Sequence, residues 1–243
     1  CENYFDIETT KATGFDWQND PVYDPKARQT ATFVFTGKDQ EVSGIEFDGN
    51  SKKTIAPILI LNGTNIVFES IYCHDFKISG WWLHEGKDVT LSNSKFINNS
   101  WGNKNQDFGS VIFYRVDNFF LHDNYIDETA SKTCGVKMTS VNLKNMWPDE
   151  VVDAGWLNGT VNKNVNIFNN IVKVNETSNW GVPSSDAKIP AITIEMGVGL
   201  ECEAKVYNNT LNNTMSIVSH EMNAKSKYEV YNNIADLRYD NDY

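Results

Sequence analysis

The sequence predicts an all-β protein, a right-handed parallel β-helix of about seven to nine coils with an N-terminal cap and surface loops. Three observations predict it: a repeated strand motif, the spacing between its copies, and the absence of a helical period of similar strength. The copies alternate apolar and polar residues and contain asparagine near the end: VTLSNSKFIN from Val89, FLHDNYID from Phe120, VNIFNNIV from Val165, AKVYNNTL from Ala204 and YEVYNNIA from Tyr228.

The spacing of the copies fits one coil of a solenoid. The starts at Ala204 and Tyr228 lie 24 residues apart, and a weaker copy begins at Ile66, 23 residues before Val89. The other intervals are 31, 45 and 39 residues, which fit either one coil with a loop or two coils. Leucine-rich repeats have a similar period, but their regular leucine framework is missing here.

The elements follow in order along the chain. Residues 1–30 are polar and irregular, and we interpret them as a tether and a cap over the first coil. The β-helix domain then occupies residues 31–243, and its first strands are ATFVFTG, EVSGIEFDG and APILILNGTNIVFESIYC. Residues 99–108, 141–164 and 178–188 depart from the pattern, so we expect surface loops there.

The asparagines of the motif have two physical roles in a stacked coil. Asn93, Asn124, Asn169, Asn208 and Asn232 are expected to form an inward column in which amides hydrogen-bond from coil to coil. Asparagine also tolerates the left-handed conformation of a sharp turn. The alternative is a β-sandwich in which asparagine marks hairpin turns, but hairpins favour Asn-Gly, which none of the five copies contains.

Apolar residues beside these asparagines are expected to stack into the core; they are Phe96, Ile126, Ile171, Leu211 and Ile234. Cys73, Cys134 and Cys202 match no zinc-binding spacing and are interpreted as buried thiols.

The net charge of −11 argues against nucleic acid as a partner. It also disfavours a polyanionic substrate, unless a metal ion or a local basic cluster offsets it. No apolar run is long enough to span a bilayer. The start CENYFDIETT resembles mature outer-membrane lipoproteins of Bacteroidetes glycan-uptake systems. This resemblance implies a lipid on Cys1, a cell-surface location and other uptake proteins as partners, and a secreted protein is the alternative.

A second set of strands precedes the repeated motifs: LILNG, WWLHEG, VIFYRV, GVKMTS, AITIEMG and SIVSHEM. Stacking would place these strands on one face of the solenoid. Their tips would then bring together eight residues: His84, Glu85, Tyr114, Arg115, Lys137, Glu195, His220 and Glu221. Outward positions are commonly charged, so a solvated face is the alternative interpretation of this group.

The residue types in this cluster suit polysaccharide cleavage by β-elimination. Arg115 or Lys137 would neutralise a uronate carboxylate or act as the base, and His84 or His220 would be base or acid. Three glutamates are candidate ligands for Ca²⁺, a hard ion that prefers oxygen; they are Glu85, Glu195 and Glu221. Two of these carboxylates are alternatively the acid and base of a glycosidase.

The rung pattern resembles the parallel β-helix superfamily of pectate-lyase-like and alginate-lyase-like enzymes, without a catalytic motif of that superfamily. The resemblance implies a polysaccharide lyase at the cell surface. Four aromatic residues are candidate sugar contacts, namely Trp82, Tyr114, Trp147 and Trp156. They also fit the alternative, a non-catalytic glycan-binding or structural lipoprotein of an uptake complex. A third possibility is a fibre segment that assembles with copies of itself.

Overall fold

The computed structural model describes twelve stretches of the chain: residues 31–50, 56–76, 79–83, 85–99, 109–113, 115–131, 134–140, 162–175, 189–196, 202–213, 215–219 and 226–235. Every regular element in these stretches is a β-strand. The strands are β1 Ala31–Ser43, β2 Glu46–Asp48, β3 Ala56–Glu69, β4 Tyr72–His74, β5 Trp81–Leu83, β6 Gly86–Ser92, β7 Lys95–Ile97, β8 Gly109–Phe113, β9 Val116–His122, β10 Tyr125–Glu128, β11 Cys134–Ser140, β12 Asn162–Phe168, β13 Ile171–Val174, β14 Ile192–Met196, β15 Cys202–Tyr207, β16 Thr210–Leu211, β17 Met215–Ser219, β18 Lys227–Tyr231 and β19 Ile234–Ala235.

These strands form a β-solenoid with three faces. Face 1 contains the first halves of β1 and β3 followed by β5, β8, β11, β14 and β17. Face 2 contains the second halves of β1 and β3 followed by β6, β9, β12, β15 and β18. Face 3 is a separate sheet in the order β2, β4, β7, β10, β13, β16 and β19.

All pairings between described strands are parallel, which excludes the β-sandwich alternative. The strand set predicted to share one face does so, as face 1. The long sequence intervals are each one coil with an insertion, because β6 pairs directly with β9, β9 with β12, and β12 with β15. The N-terminal cap lies outside the described residues, as do most of the predicted loops. Residues 162–164 of the second loop belong to β12.

The core is a set of columns in which residues from successive coils stack inside the solenoid. On face 3 one column contains Phe47, Cys73, Phe96, Ile126, Val172 and Leu211. Ile171 and Ile234 are not in it; they point outward and are 43% and 68% exposed. The expectation that they stack in the core is therefore wrong, because register assigns the inward position to the next residue.

At the corner between face 2 and face 3, two consecutive residues have the two roles expected of asparagine: the first makes the left-handed turn and the second points inward. The first residue has a left-handed backbone, with φ of 49°, 55°, 56° and 54° at Asn93, Asn169, Asn208 and Asn232. These four side chains are exposed, which corrects the expectation that they point inward.

The second corner residue provides the inward ladder. Asn124, Asn170, Asn209 and Asn233 hydrogen-bond in sequence, each Nδ2 donating to the Oδ1 of the next at 3.0, 3.0 and 2.9 Å. Of the predicted column only Asn124 is an inward residue. In the other four copies the predicted asparagine is the first corner residue, and the inward residue is the one that follows it.

The described cysteines Cys73, Cys134 and Cys202 are buried thiols, as predicted. Among the described residues there is no helix of the length and hydropathy needed to cross a bilayer.

Candidate functional site

Half of the predicted face 1 cluster falls within the described residues. Glu85, Arg115 and Lys137 are described, as is the backbone of Glu195, whereas His84, Tyr114, His220 and Glu221 lie outside, together with Trp147 and Trp156. The complete cluster is therefore tested by experiment.

Lys137 and Trp82 lie in one outward column of face 1. Trp82 pairs with Ile112, and Ile112 pairs with Lys137, so the three occupy successive coils. The inward neighbours of Lys137, Val136 and Met138, belong to the core. Although this column points away from the core, Lys137 is 2% and Trp82 6% exposed. The outer side of face 1 is therefore desolvated at this point.

Arg115 and Glu85 occupy equivalent corners between face 1 and face 2. The backbone carbonyl of Arg115 accepts a hydrogen bond from Gly86, which follows Glu85, at 3.2 Å. Arg115 Nη2 lies 3.9 Å from Glu85 Oε1, and the arginine is 8% exposed. Arg115 has a φ of 59°, a left-handed conformation that is uncommon for a residue of this type. The corner thus brings one buried cation next to one predicted metal ligand.

The other predicted residue of this face is placed only through its backbone. Glu195 pairs with Thr139 on one side and with Val218 on the other. Lys137 is two residues before Thr139 on the same strand, which corresponds to about 7 Å along face 1. Glu195 and Lys137 are therefore on neighbouring strands but not in the same column.

Face 3 carries a different and more exposed group of polar side chains. One outward column contains Tyr72, Lys95 and Tyr125 in successive coils. Lys95 Nζ lies 5.2 Å from the ring centroid of Tyr72 and 6.0 Å from that of Tyr125. Contacts of this kind between a cation and ring faces are favourable. Aromatic and cationic groups thus alternate along the solenoid axis.

The next outward column of face 3 continues this network. Lys173 Nζ donates to Tyr125 Oη at 3.1 Å, and Tyr125 Oη donates to Asp127 Oδ2 at 2.8 Å. The hydrogen bond to Tyr125 raises the pKa of Lys173 and favours its charged form. The result is a linked lysine, tyrosine and aspartate that span two coils.

At the first coils of face 3 a histidine lies among carboxylates. His74 Nδ1 is 2.8 Å from Asp75 Oδ2 and 3.9 Å from Asp48 Oδ1, and His74 Nε2 is 3.1 Å from Glu46 Oε1. The ring of His74 stacks on Tyr72 with centroids 4.5 Å apart. Burial lowers the pKa of His74, but its hydrogen bonds with Asp75 and Glu46 outweigh that effect and raise it.

The polar side chains of face 3 are not among the site residues that the sequence predicted. A signal for them is present in the sequence, because outward residues of the short strands EFD, YCH, KFI and YIDE alternate with core residues. The register between these strands was needed to show that their outward side chains form columns. Comparison with protein-family models, curated proteins and solved structures found no significant match.

Proposed function

We propose that this chain is a polysaccharide-binding β-solenoid that holds a glycan along face 3. The observation that supports the proposal is the outward column of the exposed Lys95 between the half-buried Tyr72 and Tyr125, extended by Lys173 and Asp127. The proposal corresponds to the non-catalytic glycan-binding protein expected as the alternative from the sequence, with the contact residues on face 3.

The repeat of the scaffold suits a linear polymer. Successive coils are spaced by about 4.8 Å, so outward positions of face 3 recur along the axis at a spacing similar to that of sugar units in an extended chain. Lysine, tyrosine and aspartate supply donors and acceptors for sugar hydroxyls. The charges of the two lysines are balanced by Asp127 in the same network and by the carboxylates around His74, on a protein of net charge −11, so a neutral glycan is the preferred ligand class.

Binding to a panel of uronate-containing and neutral polysaccharides tests this proposal. The double variant Lys95→Ala/Lys173→Ala is expected to weaken binding of the preferred glycan by about thirtyfold or more, since each of the two lost charged hydrogen bonds is worth about 1 kcal/mol or more. Lys205→Ala is the matched control, because Lys205 is a lysine on face 2 with Glu229 as its partner at 3.3 Å. Failure of every polysaccharide to bind, or equal binding by the double variant, would contradict the proposal.

A polysaccharide lyase remains the second candidate, supported by the buried cation at the face 1 corner. Arg115 combines low exposure with a guanidinium group 3.9 Å from the Glu85 carboxylate. In this proposal Arg115 or Lys137 neutralises the uronate or acts as base, and His84 or His220 is base or acid. Calcium bound by Glu85, Glu195 and Glu221 belongs to the same proposal.

The lyase proposal predicts release of unsaturated sugars, which absorb in the ultraviolet, with and without added calcium. Lys137→Met keeps the length of this buried side chain while it removes the charge, and Arg115→Lys keeps the charge while it changes the geometry. Loss of product in both variants, at unchanged melting temperature, would support catalysis there. Unchanged turnover would remove both residues from the mechanism.

The finer fold assignment and the location are part of the same proposal. We propose a right-handed solenoid of about seven to nine coils, because strand crossovers within one parallel sheet are right-handed in nearly all proteins. Membership of the pectate-lyase-like superfamily is supported by the three parallel faces and the asparagine corner.

We also propose a cell-surface location through a lipid on Cys1, with other glycan-uptake proteins as partners, which is consistent with glycan binding. Mass spectrometry of the protein isolated from its host tests whether Cys1 carries the lipid.

A further inference from the structure

We propose that Asp48, His74 and Asp75 form a binding site for a divalent transition-metal ion, and that Zn²⁺ is the ion that their donor atoms fit. The site lies on the first two coils of face 3, where β2 and β4 pair through Asp48 and His74. It is separate from the glutamates of face 1, and the inference is independent of glycan binding.

The spacing of the donor atoms is close to that of a zinc centre. One ligand atom from each of the three residues lies within 4.8 Å of the other two. Tetrahedral ligands at about 2.0–2.1 Å from zinc are roughly 3.3 Å from one another. His74 Nδ1 is 2.8 Å from Asp75 Oδ2 and 3.9 Å from Asp48 Oδ1, so the two distances lie on either side of that value. Binding of an ion would bring the three atoms to this common separation through rotation of the side chains.

The far side of the imidazole has the partner that a zinc-bound histidine needs. His74 Nε2 faces Glu46 Oε1 at 3.1 Å, so the glutamate can accept the Nε2 proton and leave the Nδ1 lone pair directed at the metal. A carboxylate on the second nitrogen of a ligating histidine is a recurrent feature of zinc sites. This contact is an observation independent of the distances among the three ligands.

Two further contacts hold the ligands in place. The ring of Tyr72 stacks on His74 at an interplanar angle of 28°, which limits rotation of the imidazole. Asn98 Nδ2 donates to Asp75 Oδ1, which leaves Oδ2 of the same carboxylate directed at His74. The site is therefore supported by neighbouring coils as well as by its own residues.

The donor set decides the class of ion. One imidazole nitrogen and two carboxylate oxygens suit Zn²⁺ and related transition metals, whereas Ca²⁺ takes six to eight oxygens. Asp48 is exposed, so the ion would keep one position open to solvent. Three protein ligands and an open position are also the arrangement of catalytic zinc sites, and an oxygen of a bound ligand can fill that position.

Titration of the full chain with Zn²⁺, in the absence of any glycan, tests the inference by calorimetry. Co²⁺ serves as a spectroscopic probe, because its visible absorption reports tetrahedral coordination. We expect the parent protein to bind one zinc ion through these residues. The affinity for Zn²⁺ should be weaker by about tenfold or more in Asp48→Asn and in His74→Phe. Asp48→Asn changes only one exposed carboxylate, and His74→Phe keeps a ring against Tyr72, so circular dichroism of both should match the parent.

His122→Phe is the matched control. His122 also bonds a neighbouring carboxylate, with Nδ1 2.6 Å from Asp123 Oδ2, and it stacks on Phe168. It should retain zinc affinity within about twofold, and excess Ca²⁺ should not displace Zn²⁺ from the parent protein. The inference is overturned if the parent binds no zinc, if Asp48→Asn and His74→Phe bind it as the parent does, or if His122→Phe loses it equally.

Discussion

Replacement of Asn170 by alanine tests the corner ladder that holds successive coils in register. Asn170 is 1% exposed. Its Oδ1 accepts from the backbone N–H of Asn124 at 3.1 Å and from Asn124 Nδ2 at 3.0 Å. Its Nδ2 donates to the carbonyl of Leu121 at 2.9 Å and to Asn209 Oδ1 at 3.0 Å. One side chain therefore connects three consecutive coils.

The expected cost follows from the groups that lose their acceptor. Alanine removes the acceptor of the Asn124 backbone N–H, whereas Asn124 Nδ2 keeps its hydrogen bond to the carbonyl of Leu91 at 3.0 Å. A buried polar group left unsatisfied costs about 1–3 kcal/mol, so the free energy of unfolding should fall by about 1–3 kcal/mol. In urea this appears as a lower midpoint at an unchanged slope.

The adjacent residue supplies the control. Asn169 is exposed and has a φ of 55°, a conformation that glycine adopts readily, so Asn169→Gly should change the free energy of unfolding by less than about 1 kcal/mol. Equal destabilisation by the two variants, or a cost below about 1 kcal/mol for Asn170→Ala, would refute the assignment of the ladder to the second corner residue.

Two further predictions concern titratable groups. Because Cys73, Cys134 and Cys202 are buried, a thiol reagent should titrate at most one of the four cysteines in the native protein and all four in denaturant. Burial raises the pKa of Asp127, but hydrogen bonds from hydroxyl groups outweigh it and leave that pKa below its ordinary value. Its contribution to stability is therefore present above the unfolded pKa and lost as pH falls through the folded pKa, and Asp127→Asn should flatten this acid limb of the stability profile.

The sequence predicted the fold because the alternation and the period of its motifs are local properties. Val, Ile and Phe at every second position indicated strands, and recurrence near 23 residues indicated stacked coils. The inward column was placed one residue off. In pairs such as Asn169–Asn170 both residues fit either role, and only strand register decides which one points inward.

The candidate sites were predicted less completely, because a site depends on which coils are neighbours. The sequence predicted that Glu85 and Arg115 lie together at the tips of the face 1 strands, and the structure brings them to 3.9 Å. It did not link His74 to Glu46, which is 28 residues away, and that contact arises only when β2 and β4 pair.

The sequence alone determined that this chain forms parallel coils with an apolar interior, since that follows from alternation and period. The tertiary structure decided which residues of each coil are exposed together. Insertions of unequal length separate the coils in sequence, whereas hydrogen bonding returns each strand to the same column in space. The polar columns of face 3 and the histidine site at their start are therefore products of register, which no local pattern specifies.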